Sequence, residues 1–239
     1  FEPDEFGTGT SMGNAGVISL ASCIPTAMPG IPARVPKMLL DPYGPLSIRW
    51  GYLPKLTPWL LAFLRNCTKD RARGNALAKS ALLDRAYAAY ETLITMSDAG
   101  SRSEERRMMK VYETEADFEA VSFELELLQL TGRRYDVVSG DEIQQLEPGL
   151  APIFAKGLFF DDNSGIVNPG RLVARFAESY VANGGTVTKE RVTDFAGHGP
   201  YIVSTDAGTY EADAIVLAAG SWTARLAAKL GTRLMLDTE

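Results

Sequence analysis

Near its start the chain reads Gly9-Thr10-Ser11-Met12-Gly13-Asn14-Ala15-Gly16, and near its end Ala214-Ile215-Val216-Leu217-Ala218-Ala219-Gly220-Ser221-Trp222. These two stretches decide the fold. In the second, four consecutive apolar residues predict a parallel strand buried on both faces. Ala218, Ala219 and Gly220 then put bare backbone at the carboxyl edge of a sheet, where open α/β sheets bind their ligands. A tight turn into a helix over 223–230 explains the same residues equally well. In the first stretch, small residues let the backbone approach a flat or anionic ligand, and Thr10 and Ser11 add hydroxyl donors. Taken alone, such a loop most often only turns the chain. Glu2 is the third element. In dinucleotide folds an acidic residue ending the second strand holds the ribose hydroxyls, and a surface carboxylate is the alternative. The Gly-x-Gly-x-x-Gly fingerprint itself is absent. Gly7 to Gly13 imitates its spacing with one residue too many before the last glycine, and no strand precedes it.

Between these ends the pattern changes. Residues 25–54 hold seven prolines and read as an extended, irregular connection. Pro58 starts an apolar helix through Leu64 that packs inside the protein or rests on a membrane surface. Leu82, Leu83, Ala86, Tyr90, Leu93 and Ile94 recur at helical spacing over 76–96. A strand is expected around Lys110–Glu113. Thr114 and Asp117 resemble a capping box, followed by a helix with Phe118, Val121, Leu125 and Leu128 on one face and Gly132 at its end. Strands are expected at 135–138, 157–161 and 186–188. Ser139 caps a short helix, and Asn168 caps a helix with Pro169 in its first turn. Asp206-Ala207-Gly208 between two β-rich runs predicts a hairpin. The ends therefore read as an α/β nucleotide-binding layer and the middle as a helix-rich α+β insertion.

Composition excludes several classes. The chain has 239 residues and a net charge of −6, which disfavours nucleic acid as a partner. Cys23 and Cys67 are too few for a disulfide framework. One histidine, His198, sits in a Gly-His-Gly-Pro turn and reads as a solvated loop residue, so neither a zinc site nor a Ser-His-Asp triad is expected. No apolar run reaches the roughly 20 residues that cross a bilayer. The sequence begins at Phe1 without Met and ends at Glu239 without a cap, which reads as a fragment or a trimmed chain.

Taken together these segments resemble the FAD-dependent D-amino acid oxidase/dehydrogenase superfamily, and bacterial D-amino acid dehydrogenases most of all. The Thr10-Ser11-x-Gly13-Asn14-Ala15-Gly16 run is similar to that family's flavin loop after the second strand. So are Asp41-Pro42-x-Gly44-Pro45-Leu46, Pro58-Trp59-Leu60, Leu146-Glu147-Pro148 and Gly157-x4-Asp162-x-x-Gly165-x-x-Asn168-Pro169, where the family more often has Asp at the Asn168 position. The resemblance implies an α/β fold. A partial Rossmann-like FAD-binding domain would occupy 1–45 and 160–239, with a helix-rich substrate domain inserted at 46–159. The phosphate-binding fingerprint and most of the substrate clamp would lie outside the chain.

By that resemblance Glu2 binds the adenosine ribose, and Thr10 and Ser11 meet the pyrophosphate. Asn14, Ala15, Gly16 and Val17 run along the isoalloxazine ring, and the Val192 backbone grips the adenine side. Ala218, Ala219, Gly220 and Trp222 form the small-residue strand end near the cofactor. The implied reaction is oxidation of the CH–NH bond of a D-amino acid, with hydride passing to the flavin and the imine hydrolysing to a 2-oxo acid and ammonia. No catalytic side chain is assigned. Trp50 and Tyr52 are candidate pocket residues, with ordinary packing as the alternative. Sarcosine, glycine or a proline-like amine as substrate, and a fragment without activity, are the competing readings. The expected partner is a small amino acid or amine, and the expected location the cytoplasm. Contact with the inner membrane face or with an electron acceptor is left open.

Overall fold

The computed structural model describes residues 1–41, 50–98, 103–105, 107–161, 164–197 and 199–234. Residues 42–46 of the Asp41 motif, Asp162, His198 and the last five residues lie outside this set. The chain forms two compact units, one of residues 15–168 and one of residues 1–14 with 169–239.

The 15–168 unit runs β1 (Val17–Ile18), α1 (Ile31–Leu40), α2 (Leu53–Asn66), α3 (Lys69–Leu83), α4 (Ala86–Met96), β2 (Ser103–Glu105) and β3 (Met108–Tyr112). It continues with α5 (Glu115–Glu119), α6 (Ser122–Leu130), β4 (Asp136–Ser139), α7 (Gly140–Leu146), β5 (Lys156–Phe160) and β6 (Ser164–Ile166). Two antiparallel sheets result, in the orders β1-β6-β2 and β3-β5-β4. Tyr112, Leu128, Leu158 and Phe160 make one core, and Phe118, Val121 and Leu125 pack against it. That apolar stripe is the one expected at helical spacing, although the chain breaks between α5 and α6 beneath it. Burying each such side chain stabilises the fold by about 1.5–3 kcal/mol. Gly157 belongs to this core because a Cβ there would meet Val138 Cγ2 at 2.9 Å and Ile143 Cδ1 at 3.3 Å.

Three expectations change here. Residues 25–54 are not irregular throughout. Pro32 stands in the first turn of α1, where its missing N–H has no helical partner to lose, and Pro36 sits inside. In the same way α2 starts at Leu53 with Pro54 in its first turn and Pro58 within. The 76–96 pattern divides into α3 and α4. The buried face of α3 consists of Ala72, Ala76 and Ser80, four residues apart, and Ala72 and Ala76 close against Leu127 of α6, while Leu82 is exposed. Arg133, after α6, ties that helix to α3 by bonding the Ser80 hydroxyl and Asp84 (2.5 Å).

The other unit consists of residues 1–14, α8 (Pro169–Ala182), β7 (Val192–Ala196), β8 (Tyr201–Thr205), β9 (Thr209–Ala212) and α9 (Thr223–Lys229). Its sheet is antiparallel in the order β7-β8-β9, and the expected hairpin turns at 206–208. Phe195, Val203 and Ala227 are its buried apolar residues. The expected parallel strand at 214–217 is not formed, and Val216 is 88% exposed. A strand buried on both faces needs a hydrogen-bonded neighbour, and among the described residues none pairs with it. Residues 186–188 are likewise irregular rather than a strand.

The caps at Thr114 and Ser139 agree with the sequence. The Thr114 hydroxyl accepts the Asp117 N–H (3.1 Å), and Ser139 with Glu142 forms a full capping box. Bonds from the Ser139 N–H and hydroxyl, both 2.8 Å, hold the Glu142 carboxyl below its ordinary range. A carboxyl depressed in the folded state adds stability above its ordinary pKa and loses it as pH falls through the lowered one. Ser139→Ala should therefore cost about 1 kcal/mol in urea unfolding at pH 7. For Glu142→Gln the deficit against the unaltered chain should shrink as pH drops from about 5 to about 3.

Candidate cofactor site

In the unit containing residues 1–14, the first residues lie along segment 188–192. The Glu2 N–H donates to the Thr188 carbonyl at 3.0 Å. The Glu2 carboxylate is exposed, and one of its oxygens accepts the Asp4 N–H at 3.2 Å. Lys189 Nζ donates to the Asp4 carbonyl (2.5 Å), stands 3.4 Å from the Glu5 carboxylate and lies 4.4 Å from the Phe6 ring centroid. Val192, half-buried, starts β7 and pairs with Thr205. Two residues placed far apart by sequence, Glu2 and Val192, thus belong to one local network.

The Gly-rich loop is a run of turns. Met12 N–H bonds the Gly9 carbonyl (3.0 Å) and Asn14 N–H the Ser11 carbonyl (3.4 Å). Thr10 is exposed and Ser11 half-buried, so both hydroxyls stand near the surface. Gly7 leads into this loop at φ +74°, and a Cβ there would collide with the Gly170 carbonyl at the start of α8. Only glycine satisfies both conditions.

At the other end, Ala218 and Gly220 are exposed and Ala219 is half-buried. The Trp222 N–H bonds the Ala219 carbonyl (3.0 Å) in the turn entering α9, and the Arg225 guanidinium lies 4.9 Å from the Trp222 ring. No hydrogen bond among the described residues joins Thr10 or Ser11 to Ala218–Trp222.

Ala15, Gly16 and Val17 are in the 15–168 unit. Gly16 is buried at φ +70°, and its carbonyl accepts the Ile166 N–H at 2.6 Å. Val17 pairs with Gly165 and Ile18 with Ser164, making β1 an edge strand. The Tyr87 hydroxyl of α4 donates to the Ile18 carbonyl (3.0 Å). Trp50 and Tyr52 are 73% and 40% exposed, so neither is packed as a core residue.

Sequence reasoning passed over Glu190, Thr205, Tyr210 and Tyr87. Thr205 and Tyr210 stand in the expected hairpin strands and Glu190 and Tyr87 in no motif, and the first three meet only because the hairpin register brings 205–210 beside 190–192. Among the described residues no group of three or more His, Cys, Asp or Glu could hold a metal ion. The chemistry present is a carboxylate, hydroxyls and accessible backbone of small residues, a donor set suited to a dinucleotide.

The comparison with known proteins decides the family. The pattern described as DAO: FAD dependent oxidoreductase matches residues 1–238. The chain belongs to the FAD-dependent oxidoreductase family. A D-amino-acid oxidase of Bradyrhizobium diazoefficiens is 34% identical over 232 residues, 96% of this chain and 55% of that protein. A D-amino acid dehydrogenase of Vibrio vulnificus is 31% identical over 231 residues, 93% of this chain and 54% of that one. Among solved structures, glycine oxidase from Geobacillus kaustophilus superposes with a TM-score of 0.63 at 21% identity, over 98% of this chain and 51% of its own. An FAD-bound L-α-glycerophosphate oxidase of Mycoplasma pneumoniae gives 0.57 at 17% identity, over 95% and 49%. The chain spans about half the length of the curated relatives it matches. The fold is the mixed helix-and-sheet fold of FAD-dependent oxidases, as the sequence implied, and FAD is the cofactor of this family.

The two loop glycines separate backbone need from composition. Gly7→Ala should cost about 1–3 kcal/mol from its left-handed φ alone. Gly9→Ala, with nothing within 4 Å of its Cβ, should stay within about 0.5 kcal/mol. Urea unfolding of the two variants checks the pair.

Proposed function

We propose that this chain carries part of the FAD site of an enzyme that oxidises the CH–NH bond of D-amino acids to a 2-oxo acid and ammonia. The observation that supports the reading is the Glu2–Thr188 bond, which sets an exposed carboxylate beside the backbone leading to Val192. Bound FAD would supply the hydride acceptor for the substrate Cα–H. The chain's own contribution is to bind and orient. Glu2 offers a carboxylate to the ribose hydroxyls, and Val192 offers backbone to the adenine. Thr10 and Ser11 offer hydroxyls to the pyrophosphate. By the family resemblance, Asn14 in the unit that holds Glu2 and Ala15, Gly16 and Val17 in the other are assigned to the ring, and Ala218, Ala219, Gly220 and Trp222 offer bare backbone to the cofactor. Correct orientation of the reacting carbon accounts for much of the rate in such a reaction, so no acid–base side chain is required of this chain.

The test is direct. The purified chain mixed with FAD and passed over a desalting column should retain a visible flavin chromophore. In the absence of oxygen and of any added electron acceptor, D-alanine should then bleach it faster than glycine, sarcosine or D-proline do. Faster bleaching by one of those amines would reassign the substrate, and flavin lost on the column would favour the inactive-fragment reading.

A second reading concerns where the protein works. No described helix is long and apolar enough to cross a membrane. Helices α1 and α2 nevertheless bury no residue, and Leu40, Trp50, Trp59, Leu61 and Leu64 are exposed. Residues 31–66 carry five basic residues, Arg34, Lys37, Arg49, Lys55 and Arg65, against Asp41 alone, in a chain of net charge −6. Amphipathic, basic, tryptophan-bearing helices suit an anionic lipid surface, and this supports peripheral contact with a membrane. Flotation with anionic vesicles should carry the chain upward and neutral vesicles should not. At about 1 kcal/mol per cation, Lys55→Glu with Arg65→Glu should weaken vesicle binding at least roughly 30-fold.

A further inference from the structure

Segment 188–192 is held at every residue. Thr188 accepts from the Glu2 N–H, and Lys189 is bound to residues 4–6 as described. Glu190 points to the hairpin instead. One carboxylate oxygen accepts the Tyr210 hydroxyl at 2.7 Å and the other accepts the Thr205 hydroxyl at 2.5 Å. The Arg191 backbone makes two bonds with Asp206, its N–H donating to the side-chain Oδ1 and its carbonyl accepting the Asp206 N–H, both at 3.1 Å. Val192 pairs with Thr205. The attachments therefore alternate in direction. Residues 188 and 189 hold the start of the chain, while 190 to 192 hold the turn between β8 and β9.

Glu190 is the pivot of this arrangement. Both its oxygens are engaged by hydroxyls of the hairpin, which makes it a strut rather than a ligand for a sugar or a cation. Tyr210 has a second role, because its ring meets Phe1 edge-on at 4.9 Å, one residue before Glu2. The Tyr210 side chain thus touches the neighbour of Glu2 at its ring and the segment approaching Val192 at its hydroxyl.

We infer that Tyr210 and Glu190 are positioning residues for the adenosine half of the cofactor, fixing the separation between the Glu2 carboxylate and the Val192 backbone. The inference rests on the FAD reading given above. It assigns these two side chains no contact with the flavin ring and no part in the chemistry. Loss of the phenol–carboxylate bond lets 188–192 shift against the hairpin, which loosens the adenosine end. Neither side chain has a partner among residues 14–17, the residues assigned to the ring.

The experiment is FAD titration of the purified chain and its variants, followed by the absorbance spectrum of bound flavin at saturation. Tyr210→Phe should raise the Kd for FAD roughly tenfold, the scale of one charge-assisted hydrogen bond. The saturated flavin spectrum should match that of the unaltered chain. Glu190→Gln, which keeps an acceptor for Tyr210, should restore affinity to within about threefold, whereas Glu190→Ala should not. An unchanged Kd in Tyr210→Phe overturns the inference. A raised Kd with an altered bound spectrum also overturns it, because the substitution then acts on the whole fold. Failure of the unaltered chain to bind FAD removes the cofactor reading itself, and this inference with it.

Discussion

A single backbone hydrogen bond, from the Glu2 N–H to the Thr188 carbonyl, joins the first residues of the chain to its last third. The organisation of that unit depends on it. Residues 1–14 contain no helix or strand, so they have no regular hydrogen-bond ladder of their own. They are held by the Thr188 bond, by Lys189 on residues 4–6, and by the passage of Gly7 across the Gly170 carbonyl. The Phe1 ring adds an edge contact with Tyr210, and since both rings are exposed none of these anchors is a large buried apolar contact. Glu2 and Thr10 are exposed and Ser11 is half-buried under this mode of attachment.

The unit of residues 15–168 is held differently. There Leu127, Leu128, Ile143 and Leu158 are almost wholly excluded from water, and the β3-β5-β4 sheet packs on α6. The same unit displays exposed apolar residues on α1, α2 and α4. A helix that buries nothing gains little from tertiary packing, the usual source of helical stability. The pairing of such helices with a basic stretch in an acidic chain is a property of their surface rather than of the core.

Local signals were legible wherever one residue type dictates one backbone outcome. The caps at Ser139 and Thr114, the hairpin at 206–208 and the start of α8 at Pro169 all lie where the sequence placed them. The stripe through Phe118, Val121, Leu125 and Leu128 was equally legible, because helical spacing survives a break in the helix. Prolines misled at 25–54, since Pro32 and Pro54 stand in first turns, where no helical N–H bond is lost, and α1 accommodates Pro36 inside it. The apolar run 214–217 misled for a different reason. Its residue types suit a buried parallel strand, but strand formation depends on a partner that the residues themselves do not supply.

By itself, then, the sequence placed most turns and the caps at Thr114 and Ser139, because these rest on residue identity at short spacing, while its resemblance to known flavoenzymes along the whole chain implied the family and the cofactor. Only the tertiary structure decided that Glu2 lies against 188–192, that Glu190 is bridged to Tyr210 and Thr205, and that Tyr87 meets the Ile18 carbonyl. Those contacts join residues 15 to 186 positions apart. Strand register and chain crossing bring them together, and neither is written in any local pattern of side chains.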